Sequence, residues 1–188
     1  FPLDYVDGVI NLSGENIATG RWTKNKKEKI LNSRLHATNT CVKLIQSLKI
    51  APKVFINASA IGFYGDRGDE LLTEESSPGN NFLADVCNNW EKAAFALENE
   101  QTRVVVLRFG AVLSKNGGAL AKMLIPFKLG LGGKIGSGAQ YFSFIGLEDL
   151  CRVILFAIET EQLEGVINAV TPYPVTNQEF TKTLGKVL

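Results

Sequence analysis

One histidine (His36), one methionine and three cysteines are all that the 188 residues offer of those types. Cys41, Cys87 and Cys151 are odd in number and widely spaced, and none forms a Cys-x-x-Cys. The clustered ligands of a zinc site are therefore missing, and no metal is expected. Thiols without evident pairing partners fit a reducing, cytoplasmic setting. No apolar run approaches the roughly 20 residues that a membrane helix needs, so no membrane partner is expected. Net charge is +1, which gives no bulk attraction to nucleic acid or anionic lipid. The basic stretch from Lys24 to Lys29 is broken by Asn25 and Glu28 and reads as a solvated helix face. The opening residues FPLDYVDGVINLSG carry no charged segment ahead of their apolar ones, so no signal peptide is expected.

A further absence concerns glycine. No strand-like run is followed by G-x-x-G-x-x-G or G-x-G-x-x-G, the turn by which α/β dinucleotide folds receive a pyrophosphate. Gly130, Gly132, Gly133, Gly136 and Gly138 are dense between Leu129 and Gln140. Their spacing is wrong for that turn, and no long helix follows. The stretch reads as a flexible substrate-side loop, or equally as an ordinary glycine-rich connection.

What is present alternates between strand and helix, at 45% apolar and 21% charged residues, within the size of one globular domain. Val9 to Leu12 is a short apolar run between Asp7-Gly8 and Ser13-Gly14, suited to a buried parallel strand. From Thr23 the chain reads as helix, with Leu31, Leu35, Thr38, Val42 and Ile45 on one face. A break near Asn32-Ser33 would divide it in two. Val54 to Ile56 begins a second strand. Phe82 or Leu83, Val86, Trp90, Ala94 and Leu97 form a second helical stripe, and Val104 to Leu107 a β-branched third strand. Strand-helix-strand-helix-strand implies right-handed βαβ units on a parallel sheet.

After Leu113 the pattern loosens. Helices are expected at Ala119 to Leu129 and Leu150 to Ile158, and strands at Tyr141 to Ile145 and Val166 to Asn168. Thr176 and Glu179 have the spacing of a capping box on a last helix.

Several strings together resemble one known family: NLSGENI, RWT, SR, ASAIGFYGDRGDELLTEESSPG, FLADVCNNWE, LRFGAVLSKNGGALAKMLIPFKLGLGGKIGSG and VTNQEF. They are similar to the "epimerase family" proteins, atypical extended short-chain dehydrogenase/reductases related to NAD-dependent sugar-nucleotide epimerases and dehydratases. The resemblance runs from about Tyr5 to the C-terminus. It implies a Rossmann-like, doubly wound parallel α/β sheet whose N-terminal βαβαβ portion precedes Phe1. Residues 1–113 would be the remainder of the dinucleotide-binding domain, and 114–188 a small substrate-side portion interleaved with the sheet. Val9 to Leu12 would be the fourth strand of the complete fold, leaving an apolar edge unpaired in this chain.

The resemblance also implies NADP(H) as cofactor and a small-molecule or nucleotide-linked substrate, with a homodimer as the assembly allowed for. It places Leu12, Ser13 and Arg34 at the cofactor, with Lys29 less firmly, and Val112 near the nicotinamide carboxamide. Ser13 and Gly14 leave room for close backbone approach, and the fixed charge of Arg34 suits phosphate. Arg21-Trp22 would brace the same region, or Trp22 would simply pack there.

In extended relatives a catalytic Ser follows the second of these strands, and the next helix carries Tyr and Lys at i and i+4. That spacing puts both on one helical face, where the Lys lowers the Tyr pKa for acid–base work. Ser59 matches the Ser. None of Tyr5, Tyr64, Tyr141 and Tyr173 has Lys four residues on. With Trp90-Glu91 set against the family's glutamate, Leu83 and Cys87 fall at the Tyr and Lys positions. Tyr64 is the best remaining proton donor, although the similar tyrosine of relatives is largely structural. Arg108 is open between a substrate contact and an internal ion pair. The reading is an NADP(H)-binding oxidoreductase or epimerase-like protein without the Tyr-x-x-x-Lys dyad; the alternative is a non-catalytic NADP(H) sensor.

Overall fold

In the computed structural model, residues 4–97 and 101–188 are described. They form two compact units. The first comprises residues up to 67, 71–108 and 154–168; the second comprises 68–70, 109–153 and 169–188. The second stretch of the first unit ends at Arg108, and residues 154–168 return to it.

The first unit is built on a four-stranded sheet. Its strands are β1 (Gly8–Asn11), β2 (Val54–Ala60), β3 (Arg103–Phe109) and a fourth (Gly165–Ala169), which is β7 in chain order, and they lie in the order β1-β2-β3-β7. β1 and β2 pair in parallel, Val9 opposite Phe55 and Asn11 opposite Asn57. Between them runs α1 (Lys24–Ser47), and between β2 and β3 runs α2 (Phe82–Phe95). Every β2 residue from Val54 to Ser59 is buried, as expected of an interior strand covered on both faces. Phe55 packs with Val42 and Ile45 of α1, Val106 of β3, and Ala94 and Leu97 at the end of α2. Burying a side chain of that size stabilises by about 1.5–3 kcal/mol.

One expectation is met and one changes. β1 lies at the edge of the sheet, as the unpaired apolar edge implied, so Ile10 is 46% exposed, and Leu12 just beyond it 55%, rather than buried. The helix does not break at Asn32-Ser33. The Ser33 hydroxyl donates to the Ile30 carbonyl at 3.1 Å, a bond that a serine makes without leaving the helix. Thr23 caps the start by accepting from the Lys26 N–H.

In the second unit β4 (Ala111–Ser114) pairs in parallel with β6 (Phe144–Gly146), and β5 (Tyr141–Phe142) pairs antiparallel with β8 (Val175–Thr176). The strand expected from Tyr141 to Ile145 is therefore two, each with a different partner. Phe142, Phe144 and Phe180 pack with ring centroids 4.6–6.0 Å apart. The unit carries α3 (Gly118–Lys128) and α5 (Asn177–Val187); α4 (Leu147–Glu159) begins in it and ends in the first unit. The capping box forms: the Thr176 N–H donates to Glu179 Oε2 at 2.8 Å, and the Glu179 N–H donates to Thr176 Oγ1 at 3.2 Å. The second half of the glycine-dense loop is tied to the start of α5. Asn177 and Gln178 N–H groups donate to the carbonyls of Gln140 and Gly138, and the Asn177 side chain accepts from the Ile135 N–H at 2.8 Å. Among the described residues no helix is long and apolar enough to cross a membrane.

Candidate functional site

The chain turns at the carboxyl end of β1, where ligands sit in open α/β sheets. Leu12, Ser13 and Gly14 are exposed there. Three side chains hold the turn's backbone. Asn11 Oδ1 accepts from the Ser13 N–H at 3.1 Å, Ser33 Oγ accepts from the Glu15 N–H at 2.9 Å, and an Arg34 NH1 donates to the Glu15 carbonyl at 3.1 Å. The same NH1 donates to the Ile30 carbonyl at 3.0 Å. A Cβ at position 14 would stand 3.0 Å from the Arg34 guanidinium carbon, so glycine is what lets the arginine lie against the loop. Burial lowers the pKa of this half-buried guanidinium from its ordinary value, with Cys87 and Glu15 opposing; it is protonated at neutral pH all the same.

Leu12 and Ser13 thus lead directly into the Gly14–Glu15 backbone against which Arg34 lies. Lys29 stands apart, exposed on α1. Its charge adds to that of Lys26, the main partner that holds the Glu15 carboxyl below its usual range at an Nζ–Oε1 distance of 2.5 Å. Trp22 donates from Nε1 to the Ile17 carbonyl at 2.9 Å and packs edge-on against Phe82, ring centroids 5.7 Å apart. It braces the far end of the same loop. Val112 is half-buried on β4 of the second unit, opposite Ile145.

A second cluster lies at the ends of β2 and β3. Ser59 is 2% exposed, and its hydroxyl donates to Glu91 Oε1 at 2.5 Å. Arg108 grips the same carboxylate with two prongs, Nε to Oε1 at 2.9 Å and NH2 to Oε2 at 2.8 Å. Arg108 NH1 donates to Tyr64 Oη at 2.9 Å and to the Glu74 carbonyl at 3.2 Å. Its guanidinium carbon lies 3.4 Å from the Phe63 ring centroid. Burial works against the charge on Arg108, but the hydrogen bonds it donates to Glu91 and Tyr64 raise its pKa overall. Tyr64, 3% exposed, donates to Asn168 Oδ1 at 2.6 Å. The Asn168 N–H reaches Glu74 Oε1 at 2.8 Å.

This geometry settles the open question about Arg108 in favour of the internal ion pair. Each of the Ser59 and Tyr64 hydroxyls also has an acceptor within the protein, Glu91 Oε1 and Asn168 Oδ1. Leu83 and Cys87 stand at the helix positions that the resemblance sets against Tyr and Lys. Both face Gly62 just beyond β2, whose Cβ would lie 3.4 Å from Leu83 Cβ and 3.9 Å from Cys87 Sγ. Burial, with Glu91 nearby, pushes the Cys87 thiol up from its ordinary value, so it stays protonated and unreactive at neutral pH.

Glu91, Glu74 and Asn168 were missed as site residues. Only Glu91 had a local signal, a carboxylate on the apolar stripe of α2. Such a group is buried only with a partner, and Arg108, directly after the run Val104 to Leu107, offers a cation on a buried strand.

A parallel sheet flanked by helices, with its loops gathered at one strand edge, defines an α/β protein of the Rossmann-like class. The chain belongs to the NAD dependent epimerase/dehydratase family, whose model matches residues 3–169. It is 40% identical over 183 residues to an epimerase family protein of Mycobacterium leprae, covering 97% of this chain and 59% of that protein. The crystal structure of human epimerase family protein SDR39U1 (isoform 2) with NADPH superposes with a TM-score of 0.94 at 37% identity, covering 98% of this chain and 63% of that one. A nucleoside-diphosphate sugar epimerase from Corynebacterium glutamicum gives a TM-score of 0.81 at 40% identity, over 96% of this chain and 38% of that one. The chain thus spans about three fifths of the length of the curated relatives it matches.

Two outcomes follow for the second cluster. Arg108→Met leaves the Glu91 carboxylate buried and unpaired and lowers stability by about 3–5 kcal/mol; adding Glu91→Leu recovers much of that loss. Denaturant unfolding of the two variants checks this, and equal losses for the single and double changes would contradict it. The raised thiol pKa keeps Cys87 protonated as pH rises through the ordinary thiol range. Mass-resolved alkylation of folded protein at pH 8 should therefore label exposed Cys151 well before Cys87.

Proposed function

We propose that this chain supplies part of the binding site of an NADP(H)-dependent, epimerase-family oxidoreductase acting on a small or nucleotide-linked substrate. The observation that carries the reading is the Ser13–Gly14 turn with Arg34 laid against it. Arg34 spends only NH1 on protein carbonyls; among the described residues its NH2 and Nε have no hydrogen-bond partner. A fixed charge with unused donors beside an exposed, side-chain-poor turn fits the phosphate and ribose of a dinucleotide. The similarity to a human protein crystallised with NADPH supports the choice of cofactor.

In this reading Leu12, Ser13 and Arg34 hold NADP(H). Lys29 adds positive potential without direct contact. The cofactor itself supplies the hydride when bound. The chain's own residues orient it and shape the wall beside it, where Leu83 and protonated Cys87 offer an apolar surface in place of an acid–base pair. Ser59 and Tyr64 act here as structural hydroxyls, holding Glu91 and Arg108 in place, so the proton of any carbonyl reduction comes from water or from the substrate.

A second reading, a non-catalytic NADP(H) sensor, is favoured by one specific observation: both candidate donor hydroxyls are committed internally. Titrating NADPH fluorescence with full-length protein, alone and as Arg34→Ala, tests what the two readings share. Loss of a charge-assisted phosphate contact, worth about 1.5–3 kcal/mol, should weaken binding by about tenfold or more. No binding by the unaltered protein, or equal binding by the variant, would overturn the proposal. NADPH consumption across a panel of carbonyl compounds then selects the oxidoreductase, and tight binding without turnover selects the sensor.

A further inference from the structure

Beneath the Ser13–Gly14 turn lies a buried polar network for which the NADP(H) reading has no use so far. Asn11 is 2% exposed, and Thr38 and Asn57 are fully buried. The two Asn11 amide protons go to Thr38 Oγ1 at 3.0 Å and Asn57 Oδ1 at 2.7 Å. The Thr38 hydroxyl donates to Asn57 Oδ1 at 3.2 Å and accepts from Trp90 Nε1 at 2.9 Å. Asn57 Nδ2 donates to the Ala58 carbonyl at 2.9 Å. Thr38 Oγ1 therefore gives one proton and receives two, which exhausts a hydroxyl's capacity. The network joins β1, β2, α1 and α2.

Such a network is expensive unless complete, and once complete it specifies one arrangement. Apolar residues would fill the same space with less desolvation of polar groups. What the polar residues add is direction, and two of the exits lead to the turn. Asn11 Oδ1 holds the Ser13 N–H. The Trp90 ring carries the Arg34 guanidinium on its face, 5.0 Å from the centroid, and Arg34 in turn holds the Glu15 carbonyl. Thr38 is the node from which both routes branch.

We infer that Asn11, Thr38 and Trp90 are positioning residues, which fix the Ser13–Glu15 backbone and the Arg34 guanidinium together in the geometry that receives a phosphate-bearing ligand. This rests on the NADP(H) reading for the identity of that ligand, but not for the coupling of turn and arginine through Thr38.

The test compares three variants of full-length protein: Thr38→Val, which keeps shape and removes the hydroxyl; Thr38→Ser, which restores it; and Ile45→Ala, which weakens α1 packing away from the network. NADPH affinity should fall about tenfold in Thr38→Val, stay within about threefold in Thr38→Ser and stay within about twofold in Ile45→Ala, a loss confined to the hydroxyl-free variant. Hydrogen exchange at the Ser13 and Glu15 amides should be faster in Thr38→Val than in Ile45→Ala. Unchanged affinity in Thr38→Val, or an equal loss in Ile45→Ala, overturns the inference. Should the unaltered protein not bind NADPH, the cofactor reading falls. The exchange measurement then still decides the coupling: faster exchange in Thr38→Val upholds it, and equal exchange overturns it.

Discussion

The pairing of Glu91 with Arg108 is the constraint on which the centre of the first unit depends. Two opposite charges, both nearly inaccessible, must satisfy each other because water cannot. Everything placed around them follows from that need. Ser59 gives its proton to the carboxylate, Tyr64 accepts from the guanidinium, and the Glu74 carbonyl takes another of its donors. Asn168 then closes the set by taking the Tyr64 proton and reaching back to the Glu74 carboxylate. β2, α2, β3, β7 and the segment around Glu74 are thereby fixed by one ion pair. Buried pairs of this kind add little net stability compared with apolar packing, yet they tolerate only one arrangement.

That arrangement sits where extended relatives of the family are expected to move protons. Leu83 and Cys87 stand on α2 at the positions that the resemblance sets against Tyr and Lys, and burial raises the pKa of the Cys87 thiol. The hydroxyls that remain are inside the network rather than beside a substrate. The turn at Ser13–Gly14 is separate: it is held by Asn11, Ser33 and Arg34, and none of its hydrogen bonds runs to Glu91 or Arg108.

Much of the fold was legible in the sequence because its signals are local. The β-branched run at Val104 to Leu107, the Thr176–Glu179 cap and the 3.6-residue stripes of α1 and α2 each follow from neighbouring residues. The exposure of β1 was legible only in part: its apolar composition suits a buried strand, while its exposure is set by its place at the edge of the sheet. The continuity of α1 through Asn32-Ser33 turned on a single side-chain bond to the Ile30 carbonyl. Of the candidate site, Leu12, Ser13 and Arg34 came from motif resemblance, and Arg34 lies against the Gly14–Glu15 backbone that follows Ser13. The roles of Ser59 and Tyr64 could not be read, because their partners Glu91 and Asn168 lie 32 and 104 residues away. No periodicity reports contacts of that range.

The central claim is that Ser59 and Tyr64 hold the protein together and do not transfer protons. It is tested most directly by measuring thermal unfolding and NADPH-dependent turnover together in Ser59→Ala and Tyr64→Phe. The account predicts a lower Tm in both variants, with turnover per folded molecule unchanged. An unchanged Tm accompanied by a large loss of turnover would contradict it.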